Sequence, residues 1–347
     1  MALLWIDGFE GYGTTTSTAI ESLLTRRYAM LSNTGHQYLA SGRNGGYGHQ
    51  GAGTSNSCAL VTPALTTSPT LFVGLAVKWT GALGTGAGYA YCMLYDGSSQ
   101  GIVFQPAGSE IAVYLGGNLL GTTSGAAISQ GAWFYLEFKC YCSATAGVIE
   151  LRVGGSTKLL LTGQNTLTAD AYYDHVWVGS GGGGATLASY VIDDLYIADG
   201  TGTNNNYFLG CPTVSAIFPA ADATSQWTPS AGTSHYSLVN ENPADDSTTN
   251  VQTGTSGKID TFTYSAPTAF TAVAGIQINT TCRQITDSAN TLITPAISGG
   301  VTSNDAGQVV GSGSFIDYRR VLECDPATGL AWTPTSIVAA QIGVEVA

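Results

Sequence analysis

Basic residues are scarce in this 347-residue chain: 11 Lys and Arg stand against 23 Asp and Glu, for a net charge of −12. No stripe of them exists to neutralise a row of phosphates, so nucleic acid is not an expected partner. Long apolar runs are missing too. None approaches the roughly 18 residues that a membrane-crossing helix needs, so no membrane insertion is expected. The start MALLWIDGFE has no basic segment before its apolar one, and Asp7 cuts the run short, so it does not read as a signal peptide. The seven cysteines (Cys58, Cys92, Cys140, Cys142, Cys211, Cys282 and Cys324) include no C-x-x-C pair and no Cys/His cluster at zinc spacing. They read as free buried thiols, or as disulfides formed after release from a cell, with no pairing implied.

Catalytic signatures are absent in the same way. There is no G-x-S-x-G elbow, no G-x-G-x-x-G between a strand and a helix, and no E-x-D-x-E-like pattern along one strand. The last absence matters because a glycosidase needs two carboxylates facing each other across the sugar. His36, His49, His175 and His235 have no second ligand at helical or strand spacing and read as ordinary polar residues. An enzyme is the weaker class.

What the chain does have is glycine, threonine, serine and 18 tyrosines, with 44% hydrophobic residues, a composition of strands joined by turns. One helix is signalled by the T-x-x-E box of Thr18 and Glu21, followed by Ile20, Leu23, Leu24 and Tyr28. Elsewhere the pattern alternates. Leu71, Val73, Leu75, Val77 and Trp79 line one side of LFVGLAVKW, and GIVFQ, IAVYL and WFYLEFKCYC repeat the signal. GVIELRV and KLLL predict a hairpin about Gly154 and Gly155, with a loop longer than two residues. HVWVG and VIDDLYIAD close this first set, at the spacing of a sandwich or jelly roll. TGTNNN (201–206) then breaks the pattern, and 207–255 reads as a long irregular connection. Alternation returns over 259–265, 270–278, 291–297, 315–323 and 340–346, enough for a second small sandwich. The expected fold is all-β: a jelly roll over 1–204 and a smaller β-sandwich over 205–347. Tyr89, Tyr91 and Tyr95, and Trp227 with Tyr236, are candidate platforms for sugar rings.

VIDDLYIAD raises a specific problem. In a regular strand Asp193 shares a face with Val191, Leu195 and Ile197, while Asp194 shares the other with Ile192 and Tyr196. Whichever face is buried takes a carboxylate with it, which costs free energy unless something compensates the charge. Backbone N–H groups or an arginine are one answer.

DGFEGYG, WFYLEF, VIELRVGG and VIDDLYIAD together resemble a concanavalin A-like (laminin-G-like) jelly roll. With WTPSAGTSHY (227–236), NPADD (242–246), DTFT (260–263) and DPATGLAWT (325–333) added, nearly the whole chain resembles two-domain virion proteins of tailed bacteriophages. That resemblance implies a non-enzymatic structural or attachment component of a phage particle, assembled in the host cytoplasm and located in the virion. The implied partners are other virion proteins, further copies of the chain in a symmetric homo-oligomer, and a host surface glycan. Residues 205–347 would make most of the assembly contacts. A carbohydrate-binding or carbohydrate-cleaving module is the alternative. The resemblance also implies a structural calcium held by Asp7, Glu10, Asp193 and Asp194, since hard oxygen ligands would neutralise carboxylates otherwise buried unpaired.

Overall fold

The computed structural model describes residues 2–14, 17–31, 37–51, 58–80, 90–180, 190–265, 270–285 and 290–347. The chain forms two compact units, one of residues 1–10 and 14–215, the other of 11–13 and 216–347. Helix makes up 7% and strand 49%, so the fold is all-β.

In the first unit β1 (Leu3–Asp7) is followed by α1 (Ser17–Arg27), β2 (Met30–Leu31), β3 (Gln37–Ser41), β4 (Tyr47–Gly51), β5 (Cys58–Val61) and β6 (Thr70–Trp79). Next come β7 (Cys92–Asp96), β8 (Ser99–Ala107), β9 (Glu110–Leu115), β10 (Asn118–Thr122) and β11 (Trp133–Tyr141). The unit's last strands are β12 (Gly147–Val153), β13 (Ser156–Gln164), β14 (His175–Ser180) and β15 (Tyr190–Asp199). Two antiparallel sheets result. The first has the order β13-β12-β11-β6-β15-β4-β3, with β1 added on β15; the second runs β10-β9-β8-β7-β14-β5-β2.

The core lies where the alternation puts it. Leu71, Val73 and Leu75 of β6 stand opposite Cys140, Phe138 and Leu136 of β11, all of them buried. Phe104 of the second sheet stacks on Phe138 with ring centroids 3.9 Å apart. Each such side chain contributes about 1.5–3 kcal/mol through burial. Cys92, Cys140 and Cys142 are buried thiols in this layer, and burial pushes the Cys92 and Cys140 thiols up in pKa.

Several expectations change in detail. α1 begins at Ser17, one residue before Thr18, and is the longest helix described; the side chains of 17–19 lie outside the described residues. Val153 pairs directly with Ser156, so the hairpin loop is just Gly154-Gly155, both at positive φ, as a two-residue primed turn requires. The expectation of a longer loop came from starting β13 at Lys158, although the exposed Ser156 and Thr157 belong to the ladder.

The largest change is in β15. Asp193 pairs with Ala76, yet Tyr196 pairs with Gly74, and Asp194 has φ +51, so one extra residue is looped out as a β-bulge. The bulge inverts the alternation. Before it Ile192, and after it Ile197, oppose the core residues Val77 and Val73, while Asp193 and Tyr196 fall on the outward face. All ten residues of β15 are buried, so that outward face is covered too.

What covers it is the chain after β15. Residues 207–214 return across the first sheet instead of leaving it, so the first unit reaches Ser215 and not 204 as the TGTNNN breaker suggested. Tyr207 and Phe208 pack on Phe72, with centroids 5.6 and 5.2 Å away. The Arg152 guanidinium lies 4.0 Å from the Phe208 ring centre and donates to the Tyr207 hydroxyl at 3.0 Å.

Under this strap Glu137, Gly74 and Tyr196 form one row across β11, β6 and β15. The Tyr196 ring crosses Gly74 and its hydroxyl donates to Glu137 Oε1 at 2.6 Å; the Gly210 amide donates to the same oxygen at 2.9 Å. A Cβ on Gly74 would stand 2.0 Å from Tyr196 Cε1. Gly74→Ala is therefore expected to displace the ring, break the Glu137 contact and destabilise the unit by about 1–3 kcal/mol, as overpacking does. Urea titration of the variant checks it; a midpoint equal to the parent's would mean that the ring yields freely.

The second unit contains β16 (Pro219–Ser225), β17 (Thr228–Pro229), β18 (Val251–Gln252), β19 (Ile259–Tyr264), β20 (Ile276–Cys282) and β21 (Thr291–Ile293). β22 (Ala296–Ser298), β23 (Val301–Ser303), β24 (Gln308–Val309), β25 (Ile316–Leu322), α2 (Pro334–Ala339) and β26 (Gln341–Val346) complete it. One seven-stranded sheet centres on β19 and β26, and two two-stranded ribbons join β17 to β18 and β20 to β25. The expected strand 291–297 is two strands, because Pro295 has no N–H to give the ladder. β16 lies inside the stretch read as irregular.

The motifs that carry the resemblance here are turn anchors. Buried Asp260 accepts from the amides of Gln226 and Trp227 and pairs with His235 Nδ1 at 2.6 Å. Asp325 closes the DPATG turn by accepting from the Ala327 amide at 2.9 Å.

Candidate functional site

Two places have the composition of a site: the acidic end of the first sheet and the outward face of the second.

The first gathers the residues expected to hold calcium. Burial, ahead of the neighbouring charges of Asp193, Asp7 and Asp194, raises the Glu10 carboxyl to about 9. Burial and then Asp194 raise Asp193 to about 7. The four carboxyls thus share one region, but the oxygens of the three aspartates face other donors. Asp7 Oδ1 accepts from the Phe9 amide at 2.9 Å and Oδ2 from the Tyr28 hydroxyl at 3.0 Å. The bulge turns both adjacent carboxylates toward Arg43, although regular alternation would have separated them. Asp193 accepts from the Arg43 and Asp194 amides, each at 2.7 Å. Asp194 accepts from the Val214 amide at 2.6 Å and pairs with the Arg43 guanidinium at 2.8 Å. The same guanidinium donates to the Pro212 carbonyl at 2.6 Å, fastening the strap.

Arg43 and backbone amides therefore compensate the buried aspartates. Among the described residues, no group of three or more His, Cys, Asp or Glu has the arrangement of a metal site. In this arrangement the oxygens of Asp7, Asp193 and Asp194 accept from backbone amides, the Tyr28 hydroxyl and Arg43. Sequence reading could not single out Arg43, which sits 150 residues from Asp193.

The second place is built by register. Opposed residues of antiparallel strands point to the same face. Tyr114 of β9 faces Val103 of β8, Val103 faces Met93 of β7, and Met93 faces Trp177 of β14. One residue pair along, Gln100 faces Tyr95 and Tyr95 faces His175. The result is an apolar and aromatic field on the side away from the core: Ala90, Met93 and Val103 are buried beneath half-buried Tyr95, Tyr114 and Trp177. Tyr95 and Trp177 stack with centroids 5.1 Å apart and planes 18° from parallel. Gln100 Nε2 donates to the Tyr95 hydroxyl at 3.3 Å. Asp174 Oδ1 contacts His175 Nδ1 at 2.6 Å and so orients the imidazole. Partial burial raises the Tyr95 phenol, so it stays protonated as a donor at neutral pH.

Of the expected platforms among the described residues, only Tyr95 is on this face. Tyr91 is a core residue, edge-on to Trp79 and Phe134, and Tyr89 lies outside the described residues. Trp227 is tied by its indole N–H to the Lys258 carbonyl at 3.0 Å, and Tyr236 begins a short turn held by Asp222. Trp177, which completes the stack, was missed. Its strand was legible in HVWVG, but its neighbour is 82 positions away (177 − 95). Two other histidines are accounted for structurally. His49 is buried beside Phe9 and Tyr190 and held neutral, its pKa lowered to about 3 by burial; His235 is paired with Asp260.

No family model and no curated protein matches the chain. Among solved structures, it is similar to the alginate lyase Aly36B at 13% identity, over 57% of this chain and 96% of that one, with a TM-score of 0.38. An endo-β-1,4-glucuronan lyase from the fungus Trichoderma reesei aligns at 11% identity over 49% of this chain and 90% of its own, with a TM-score of 0.37. The carbohydrate binding module CBM66 from Bacillus subtilis aligns at 10% over 48% and 95%, with a TM-score of 0.32.

Proposed function

We propose that the first unit is a glycan-binding jelly roll that holds sugar rings on the outward face of its second sheet without cleaving them. The stacked, half-buried Tyr95–Trp177 pair carries this reading. Sugar rings present flat C–H faces that rest on aromatic planes, while their hydroxyls take hydrogen bonds from polar groups at the rim. Gln100, His175 and the Tyr95 hydroxyl supply such groups. The outward face of the first sheet is covered by the chain's own residues 207–214, so the half-buried aromatic field of the second sheet is the face this reading uses.

Binding without turnover is supported by the nearby carboxylates. Asp96 accepts from Thr168 Oγ1 at 3.1 Å and Asp174 from the Gly97 amide at 2.8 Å, so each is engaged in holding a loop. In the virion setting that the sequence resemblance implies, the ligand is a host surface glycan, and the second unit makes the contacts of a symmetric assembly. Peptide mass spectrometry of purified particles and sedimentation of the chain test that setting.

Trp177→Ala is expected to weaken retention on a bound polysaccharide by about 30-fold, the effect of removing a central aromatic anchor. Trp177→Phe should recover most of it. Affinity gel electrophoresis reads both. Full retention by Trp177→Ala would place the ligand elsewhere.

A further inference from the structure

We infer that the glycan taken by this face is neutral, a polymer of unsubstituted hexoses or pentoses and not of uronic or sialic acids; this rests on the glycan-binding reading above. The observation is where the positive charge is. Residues 1–215 contain seven Lys and Arg, Arg26, Arg27, Arg43, Lys78, Lys139, Arg152 and Lys158. They lie on α1, on the turn between β3 and β4, and on β6, β11, β12 and β13 of the first sheet. The seven strands of the second sheet contain none. Their only charged residues are Asp96 and Glu110, with His175 the one titratable base. The connecting sequences AGTSNS (52–57), GALGTGAGY (81–89) and GGGGATLAS (181–189) carry no charge of either sign.

Three of these seven cations are also engaged elsewhere. Arg43 serves Asp194 and Pro212, Arg152 serves Glu150 and the aromatic strap, and Lys139 stands over Phe72 and Tyr207.

A sugar carboxylate set down on an apolar aromatic field loses water and needs a cation or several N–H donors in return. Here it meets three aromatic rings over a buried apolar layer, with Asp96, Asp170 and Asp174 as the nearest fixed charges along the chain. The net charge of −12 adds a repulsion at longer range. A neutral ring meets neither penalty. Its C–H face covers Tyr95 and Trp177, and its hydroxyls both donate and accept, which suits Gln100 and the imidazole.

The test uses the full chain in affinity gels that contain either neutral polymers (galactan, mannan, arabinan, β-glucan) or acidic ones (alginate, polygalacturonate, polysialic acid). Alginate with its carboxyls reduced to alcohols provides a matched pair that differs only in charge. The expected result is retardation by at least one neutral polymer and at least ten-fold weaker retention by every acidic one at low salt. That retardation is lost in Trp177→Ala. An acidic polymer bound as tightly as the best neutral one overturns the inference and leaves the glycan reading standing. Neutral retention that survives in Trp177→Ala overturns it as well, because the ligand then sits on another surface. Retention by no polymer of either kind removes the glycan reading itself.

Discussion

Arg43→Ala is expected to destabilise the first unit by about 3–5 kcal/mol, because it strands a buried carboxylate. The Asp194 side chain is 2% exposed and its partner Arg43 is 15% exposed, so water cannot readily replace the guanidinium. Two other contacts go with it: the hydrogen bond to the Pro212 carbonyl, and the stacking of the guanidinium over Tyr135 at 4.8 Å. For a unit of this size the melting temperature should fall by on the order of 10 °C. The double variant Arg43→Ala/Asp194→Ala should be less damaged than the two single losses summed, since the stranded charge is gone. The same measurement decides between arginine and calcium. With Arg43 as the counter-charge, a chelator leaves the parent's melting temperature unchanged. A fall on chelation would support the calcium role that the sequence resemblance implies for Asp7, Glu10, Asp193 and Asp194, because a ligand bound only to the folded state must stabilise it.

Stability should also fall as pH rises from about 5 to 9. Burial raises Glu10 to about 9 and Asp193 to about 7, against ordinary values of 4.5 and 3.8. Between the unfolded and folded values the unfolded chain has released these protons while the folded one keeps them. The folded state then binds more protons, so its stability declines with rising pH. The contribution is fully present below about pH 4 and is lost through pH 7 for Asp193 and pH 9 for Glu10. A tenfold difference in proton affinity between the folded and unfolded states is worth about 1.4 kcal/mol, so the slope is measurable by thermal melts in a buffer series. Glu10→Gln, which keeps the shape and carries no titrating proton, should flatten the upper half of the curve. A parent whose melting temperature rises from pH 5 to 9 would show that the carboxyls ionise freely in the fold, as they would beside a bound cation.

The two strongest sequence signals, strand alternation and glycine turns, are local, and both survived folding. A strand with Leu71, Val73, Leu75, Val77 and Trp79 on one side has one way to bury them, and Gly154-Gly155 has few turns to choose from. The all-β class and the single sizeable helix of the first unit followed from that. Tyr95 was among the aromatics offered as platforms, but so was Tyr91, which shares its parity and lies in the core.

Everything that depends on a partner far along the chain was decided by tertiary structure. Whether Trp177 meets Tyr95, or Arg43 meets Asp194, is set by which strands pair. Pairing is settled by the summed burial of both sheets, and no short stretch encodes it. The bulge at Asp194 shows this most directly. One extra residue reverses the facing of everything after it, so a sequence read at period two puts Asp194 on the wrong side. The covering of the first sheet was equally invisible, because Tyr207 and Phe208 follow a polar breaker that looks like an exit from the domain. The sequence alone determined which residues are apolar, aromatic or charged, and so that the second sheet carries no lysine or arginine. Only the fold decided that those strands lie side by side, which turns a compositional gap into an uncharged aromatic surface.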